Sequence, residues 1–552
     1  MFRPVYFSGR VRWLHFFVTF IIICILLSAV RYHRPPARPP SIYDYTDGKT
    51  VGTWLNETLN EVLVTDEASY LKDLASQYGL SDDIPFYARR IRPSHKSDVR
   101  NSMTDTGIKF MARDFEHVQL EEERLHLHAE KAIHLTVKRS VTPDQLDASS
   151  LIFGISSSYG RLTYADDALI RDWARWLTDG KGRTNGASIV LTLHRATNAE
   201  VSYLSTKLRG LGIDAVVLAA NESSDVTARY VELLHMLSRR NDEFSRDGET
   251  KRFLALVDDD VFFPSLGKLL DRLARFDEKD KVYLGMPSER ADWTVENNIT
   301  LTYGGGAVFL NIRMATDLIQ LPCLHEDNSD VEGELKPRGD AYWDEHVYKC
   351  VSQHTDEDMH VLPSFYVPED DYHGLRTGFE GGVQPLTLHH YKHRHRFEPW
   401  KSHMVASVCG EDCFLQRFSF RDSWILVNGH TISHYPDGVE VVSMPRTSRL
   451  VMQQDRDKER EVQTAARLII EPIEGADRNN QRKVVSWTGV KRTWRLLDAR
   501  LGEKGEVWQA YAKRRGSPVS YGDEDDWLPD DMVHAQDGPS DEDSVIILIW
   551  EP

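Results

Sequence analysis

Three consecutive acids, Asp258, Asp259 and Asp260, stand between two apolar runs, Phe253–Val257 and Val261–Phe263. Carboxylates in such surroundings are costly unless something positive compensates them. In an extended segment Asp258 and Asp260 point one way and Asp259 the other. Two hard oxygen ligands at that spacing suit a Mg²⁺ or Mn²⁺ that also holds substrate phosphates. The competing reading is a solvated acidic turn leading into the next helix, which Pro264 is suited to start. Three further stretches carry chemistry. Tyr303–Asn311 reads YGGGAVFLN, and its glycines, Gly305 and Gly306 among them, permit either close backbone approach to a ligand or a bulge. Ala341–Ser352 reads as a helix with Asp344 and Glu345 near its start, where negative charge also stabilises a helix terminus. Gln384–His395 (QPLTLHHYKHRH) gathers four histidines, which read as ligands or as a pH-sensitive surface patch.

These groups need elements to hold them. Phe253–Val257 has no polar break, as expected of a strand buried on both faces in the middle of a parallel sheet. Before it, strands are predicted at Leu151–Ile155, Ile189–Leu193 and Ile213–Ala219. Helices are predicted at Ala168–Leu177, Asn198–Arg209 and from Val226 onward. That alternation predicts an α/β fold with a parallel sheet. In such sheets ligands bind beyond the carboxyl ends of the strands, where the three acids would sit. No GxGxxG follows the first strand and no GxxxxGK[ST] occurs, which disfavours a dinucleotide oxidoreductase and a P-loop enzyme.

The net charge of -18 argues against a general nucleic-acid partner. The chain of 552 residues is long enough for two or three domains with appendages. After a short basic tail, 1–12, the apolar run Trp13–Val30 is long enough to span a bilayer, and a cleaved signal peptide is its rival. Arginines flank the run on both sides, so the positive-inside rule is nearly silent. The globular sequence that follows favours a cytosolic N-terminus, a type II topology. Residues 31–147 begin Pro-rich and continue polar, with helical patterning at Leu120–His134, and read as a stem of limited structure. The α/β pattern occupies 148–404. Short alternating runs from 405 to 552 suggest a β-rich extension containing an acidic, disordered insertion at 516–544. Sequons stand at Asn56, Asn221 and Asn298. Apart from Cys24 there are four cysteines, and in an oxidising compartment 323–350 with 409–413 is one of three possible pairings.

Taken in order, FGI with SSS after it, LVDDDVFF, YGGGAVFLN, WDEHVYKC and LTLHHYKH resemble the Fringe-like branch of the β-1,3-glycosyltransferases, glycosyltransferase family 31, most of all its plant and fungal members. The likeness covers about residues 150–400, with a weaker echo in CFLQRFSFRDSWILVNGH. The resemblance implies a GT-A (Rossmann-like) catalytic domain. It implies a type II protein of the Golgi or ER membrane that transfers a hexose or N-acetylhexosamine from a UDP-sugar to a glycan or glycoprotein acceptor, with inversion and Mn²⁺ (or Mg²⁺). It places the metal on Asp260 and Asp258, with His390 as the second kind of ligand and His389 as the substitute. Asp258 and Asp259 would support the nucleotide, and the catalytic base would be Asp344 or Glu345. The family's usual pair is Asp-Asp, so Glu345 departs from it. The donor nucleotide would lie along Gly154, Ser157 and Ser158 and against Gly305 and Gly306; the alternative is that the Phe153–Gly154 strand is only core and that Ser156 to Ser158 or Arg161 hold the uridine. Inverting transfer asks one carboxylate to deprotonate the acceptor hydroxyl while a divalent ion stabilises the leaving diphosphate. Two other classes remain: a metal-dependent hydrolase, and a catalytically silent, membrane-tethered glycan-binding protein.

Overall fold

The computed structural model describes residues 63–122, 124–221, 224–286, 306–324, 343–362, 364–366, 384–389, 398–445, 468–471, 481–487, 490–515 and 542–552. The apolar run Trp13–Val30 lies outside them, and no helix among the described residues is long and apolar enough to cross a membrane.

The alternation of apolar runs and amphipathic stretches becomes an eight-stranded mixed sheet. Strands β1 (Leu151–Ser157), β2 (Ser188–Leu193), β3 (Asp214–Ala219) and β4 (Phe253–Val257) run parallel in the order β3-β2-β1-β4. The chain therefore winds outward from β1 in one direction to β3, then crosses back to place β4 on the other side. β1 and β4 flank a topological switch point, where the loops after adjacent strands leave in opposite directions and open a crevice. Beyond β4 come β5 (Tyr283–Gly285), β6 (Ala307–Asn311) and β7 (Met359–Val361). β6 lies antiparallel between β4 and β5, β7 pairs parallel with β5, and Leu468–Ile470 closes that edge.

The helices α1 (Tyr159–Leu162), α2 (Ala168–Leu177), α3 (Asn198–Gly210), α4 (Val226–Arg246) and α5 (Leu266–Leu273) cover this sheet. Their starts are set by local chemistry. Ser158, Asp225 and Ser265 each accept a hydrogen bond from a first-turn N–H, and Thr197 forms a capping box with Glu200. Leu169, Ile170, Trp173, Trp176 and Leu177 form the buried stripe of α2. α6 (Trp343–His354) packs on α4.

Within the stretch read as a stem of limited structure, the described residues are folded. From Val64 to Lys138 the described chain forms a helix, Glu67–Tyr78, and strands of a second, ten-stranded sheet. Asp83–Ser97 pairs in parallel with Ser544–Trp550 at the far end of the chain, and with Glu130–Lys138. The helical patterning at Leu120–His134 is also overturned, since Glu130–Lys138 is a strand with alternating burial. The physical reason is reciprocal burial. Phe86, Ala88, Val545, Ile547 and Ile549 face the helix Glu67–Tyr78, while Tyr87, Ile91, Ile546, Leu548 and Trp550 face the main core. SVIILIW is apolar on both faces and needs covering on both sides. The remaining strands of this sheet include Arg417–Ser419, Trp424–Val427, Thr431–His434, Arg492–Leu501 and Val507–Lys513. The acidic insertion lies mostly outside the described residues, but its end does not stand apart: Asp543 is buried and accepts hydrogen bonds from the backbone N–H groups of Ser81 and Arg515.

The two sheets share one continuous hydrophobic core; β8 (Thr387–Leu388) lies beside the main sheet, and residues 403–412 join the two. His403 Nε2 donates to the Pro264 carbonyl at 3.1 Å and its ring packs edge-on against Phe262 and Phe414. Burial drives this imidazole down to about 3, so it stays neutral. Glu411 accepts from the Gly267 N–H at 2.8 Å, and Asp412 accepts from Gln384 Nε2 at 2.7 Å and pairs with Lys138. Disulfides join Cys323 to Cys350 and Cys409 to Cys413.

Candidate active site

β4 ends at Val257, and the three acids leave it at the switch point beside the end of β1. The backbone settles their directions. The N–H of Asp258 donates to the Gly306 carbonyl at 2.9 Å. Phe262 and Leu388 exchange backbone hydrogen bonds of 2.9 and 2.8 Å, so the residue after β8 is held against the acidic turn. That residue is His389. Its Nε2 stands 3.2 Å from Asp258 Oδ2 and 3.3 Å from Asp260 Oδ1, and its ring is fully buried. Burial alone would push the imidazole down, but the two carboxylates beside it push it up to about 10.

Asp259 turns the other way. Arg161, in the short turn α1, donates from Nε to its two oxygens at 2.8 and 2.7 Å and from a terminal nitrogen to Asp260 Oδ2 at 3.1 Å. Ser157 donates to Asp259, and Trp173 Nε1 donates to its carbonyl at 3.0 Å. Burial raises the Asp259 carboxyl to about 6 although Arg161 opposes it.

Asp258, Asp260 and His389 offer one ligand atom each within 4.8 Å of one another. Two carboxylate oxygens and one imidazole nitrogen fit Mn²⁺, which accepts mixed hard and borderline donors more readily than Mg²⁺ does. His390, read from the sequence as the ligand, lies outside the described residues, and the ring that meets the carboxylates is that of its neighbour. Gly305 also lies outside them. Gly306 has φ +66°, and a Cβ there would meet two ring carbons of His389 at 2.8 Å, so the last glycine of the loop lets the backbone press on the histidine.

Gly154 packs the sheet against a helix. It is buried within β1, and a Cβ on it would meet Leu237 and Leu233 of α4 at 2.8 and 2.9 Å, so its role is helix–sheet packing. Ser157 belongs to the acidic cluster and Ser158 caps α1. Arg161, the other candidate for holding the nucleotide, is ion-paired with Asp259 and Asp260.

The acidic pair opens α6. Asp344 is fully buried, and Glu345 is nearly so and ion-paired with Lys349 one turn on. Trp343, just before the pair, stacks on Tyr230 of α4 with ring centroids 4.2 Å apart and planes 7° from parallel. The Tyr230 hydroxyl donates to Asp258 Oδ1 at 2.8 Å. The disulfide at Cys350 and a 3.0 Å hydrogen bond from His346 to the Cys323 carbonyl secure the same helix. The sequence marks a helix from Val226 onward and does not single out the Tyr230 hydroxyl. No local pattern distinguishes a buried tyrosine that packs from one that also orients a carboxylate.

No family model and no curated protein matches the chain. Solved structures overlap with part of it. The apo-form glycosyltransferase GlyE of Streptococcus pneumoniae is 13% identical with a TM-score of 0.27, over 44% of this chain and 55% of that one. The galactosyltransferase LgtC, in complex with donor and acceptor sugar analogs, is 12% identical with a TM-score of 0.26, over 43% of this chain and 86% of that one. Mouse xyloside xylosyltransferase 1 is 11% identical with a TM-score of 0.25, over 43% and 96%. Scores and identities this low leave family and activity open.

Proposed function

We propose that the protein is a Mn²⁺-dependent glycosyltransferase of the Fringe-like type, which transfers a hexose or N-acetylhexosamine from a UDP-sugar to a glycan or glycoprotein acceptor with inversion. The observation that carries this reading is the Asp258–Asp260–His389 cluster, with Asp260 and His389 buried, at the switch point between β1 and β4. A divalent ion bound there would supply Lewis-acid stabilisation to a leaving diphosphate. The chain's own residues do the rest. Asp258 and Asp260 hold ligand oxygens on one side, and Arg161 keeps Asp259 turned away on the other. The close packing of Gly306 and β8 fixes His389. Asp344 or Glu345, the acidic pair that opens α6, is our candidate for the base that takes the acceptor hydroxyl proton. The paired cysteines support an oxidising compartment, and with the apolar run Trp13–Val30 they support a type II protein of the Golgi or ER membrane.

The test is to incubate the purified protein with a panel of UDP-sugars and Mn²⁺. UDP release with one sugar, lost in Asp260→Ala, is the expected result. Phosphate release without a UDP-sugar would point to a hydrolase. Silence across the panel combined with glycan binding would overturn the enzyme reading.

A further inference from the structure

The geometry points to Tyr230 and Trp343 as a pair of positioning residues that lock the metal-facing carboxylate of Asp258 to the helix carrying the acidic pair. The inference rests on the metal site proposed above and goes beyond it to how that site is held.

Asp258 has two carboxylate oxygens with different tasks. Oδ2 faces His389 at 3.2 Å. Oδ1 accepts the Tyr230 hydroxyl at 2.8 Å, and the same hydroxyl lies 3.3 Å from the Val257 carbonyl at the end of β4. A carboxylate with one oxygen tied has lost rotation about its terminal torsion, so the other oxygen is presented to the cation site in one direction. Outer-shell partners of this kind orient metal ligands, and their loss typically costs about 10–100-fold in metal affinity.

The phenol needs holding in turn. Its ring is stacked face to face on the indole of Trp343, and both side chains are buried. Trp343 is the first residue of α6, and Asp344 and Glu345 follow it directly. A shift of that first turn would slide the indole across the phenol and move the hydroxyl off Asp258. Conversely, an Asp258 drawn toward a cation pulls on the ring against which α6 is packed. The stack thus joins two parts of the site that are 85 positions or more apart in sequence, on the order of a whole small domain of chain, through two side chains that touch.

The test uses the full-length protein with Mn²⁺ alone as the probe, read by calorimetry and not by turnover. Tyr230→Phe keeps the stack and removes only the hydroxyl, and its Mn²⁺ dissociation constant should rise about 10–100-fold. Trp343→Leu should weaken Mn²⁺ binding as well, and Trp343→Phe, which restores an aromatic face, should recover most of it. Combined with Tyr230→Phe, Trp343→Leu should add little, because the indole acts through the hydroxyl already removed. Wild-type protein that binds no Mn²⁺ would overturn the metal reading and this inference together. Wild-type binding with Tyr230→Phe unchanged would overturn the inference alone. Full additivity in the double variant would also overturn it, since the two residues would then not act as a unit. Circular dichroism of the metal-free variants checks that each is folded, and should Trp343→Leu fail to fold, Tyr230→Phe alone decides.

Discussion

Replacing Gly306 with Ala tests whether the glycine-rich loop holds the histidine ligand. The added Cβ would lie 2.4 Å from Val261 Cγ2 and 2.8 Å from Cγ and Cδ2 of the His389 ring, at a residue with φ +66°. The left-handed backbone costs a non-glycine residue about 1–2 kcal/mol. Crowding a close-packed core costs roughly 1–3 kcal/mol more. The sum, about 2–5 kcal/mol, is a large fraction of ordinary stability. Neither neighbour can yield cheaply. Val261 is fully buried beside the acids, and His389 is fully buried and held by the Phe262–Leu388 bridge. The ring must therefore tilt, which moves Nε2 relative to Asp258 and Asp260. Urea unfolding without metal should show the lost stability, and Mn²⁺ titration by calorimetry should show weakened binding that exceeds what partial unfolding explains. A variant that loses stability but binds Mn²⁺ like wild type would refute the link between loop and ligand. A variant unchanged in both would refute the packing argument itself.

Three other outcomes are expected. His389→Ala should weaken Mn²⁺ binding by at least the roughly 100-fold that outer-shell losses reach, and His390→Ala should change it far less, as read in one calorimetric series. Glu411 has its carboxyl raised by burial from 4.5 to about 8, so its contribution to stability is whole below the lower value and is lost as pH rises through the upper one. Glu411→Gln keeps the acceptor for the Gly267 N–H and should flatten that part of the stability profile, by up to a few kcal/mol at about 1.4 kcal/mol per pH unit. Its urea midpoint compared with wild type at pH 5 and pH 9 checks this. Arg161→Ala leaves Asp259 and Asp260 without their guanidinium, and because Arg161 is half-exposed the loss should be about 1 kcal/mol. The midpoint of this variant should fall without metal and rise more steeply than wild type with added Mn²⁺, as a thermal-shift titration would show.

The central sheet was readable because its information is local. β1, β2, β3 and β4 are largely apolar runs separated by amphipathic helices, and β1, β2 and β4 are buried along nearly their whole length, as strands inside a parallel sheet are. The three acids were readable for the same reason, since a charged triplet between such runs needs compensation wherever the chain goes. What compensates it was not. Arg161, Tyr230 and His389 come from three elements that the winding order β3-β2-β1-β4 and the bridge to β8 bring together. Whether His389 or His390 faces the acids depends on the register of that bridge, and a slip of one residue would exchange them. The second sheet was misread for a related reason. Asp83–Ser97 looks polar and stem-like until Ser544–Trp550 pairs with it across almost the whole chain, and nothing near either strand announces the other. The sequence by itself therefore determined the parallel strands and the acids at the end of one of them, because local burial and charge dictate both. Tertiary structure alone decided which cations and hydroxyls answer those acids, because long-range pairing sets register and direction and no short window contains it.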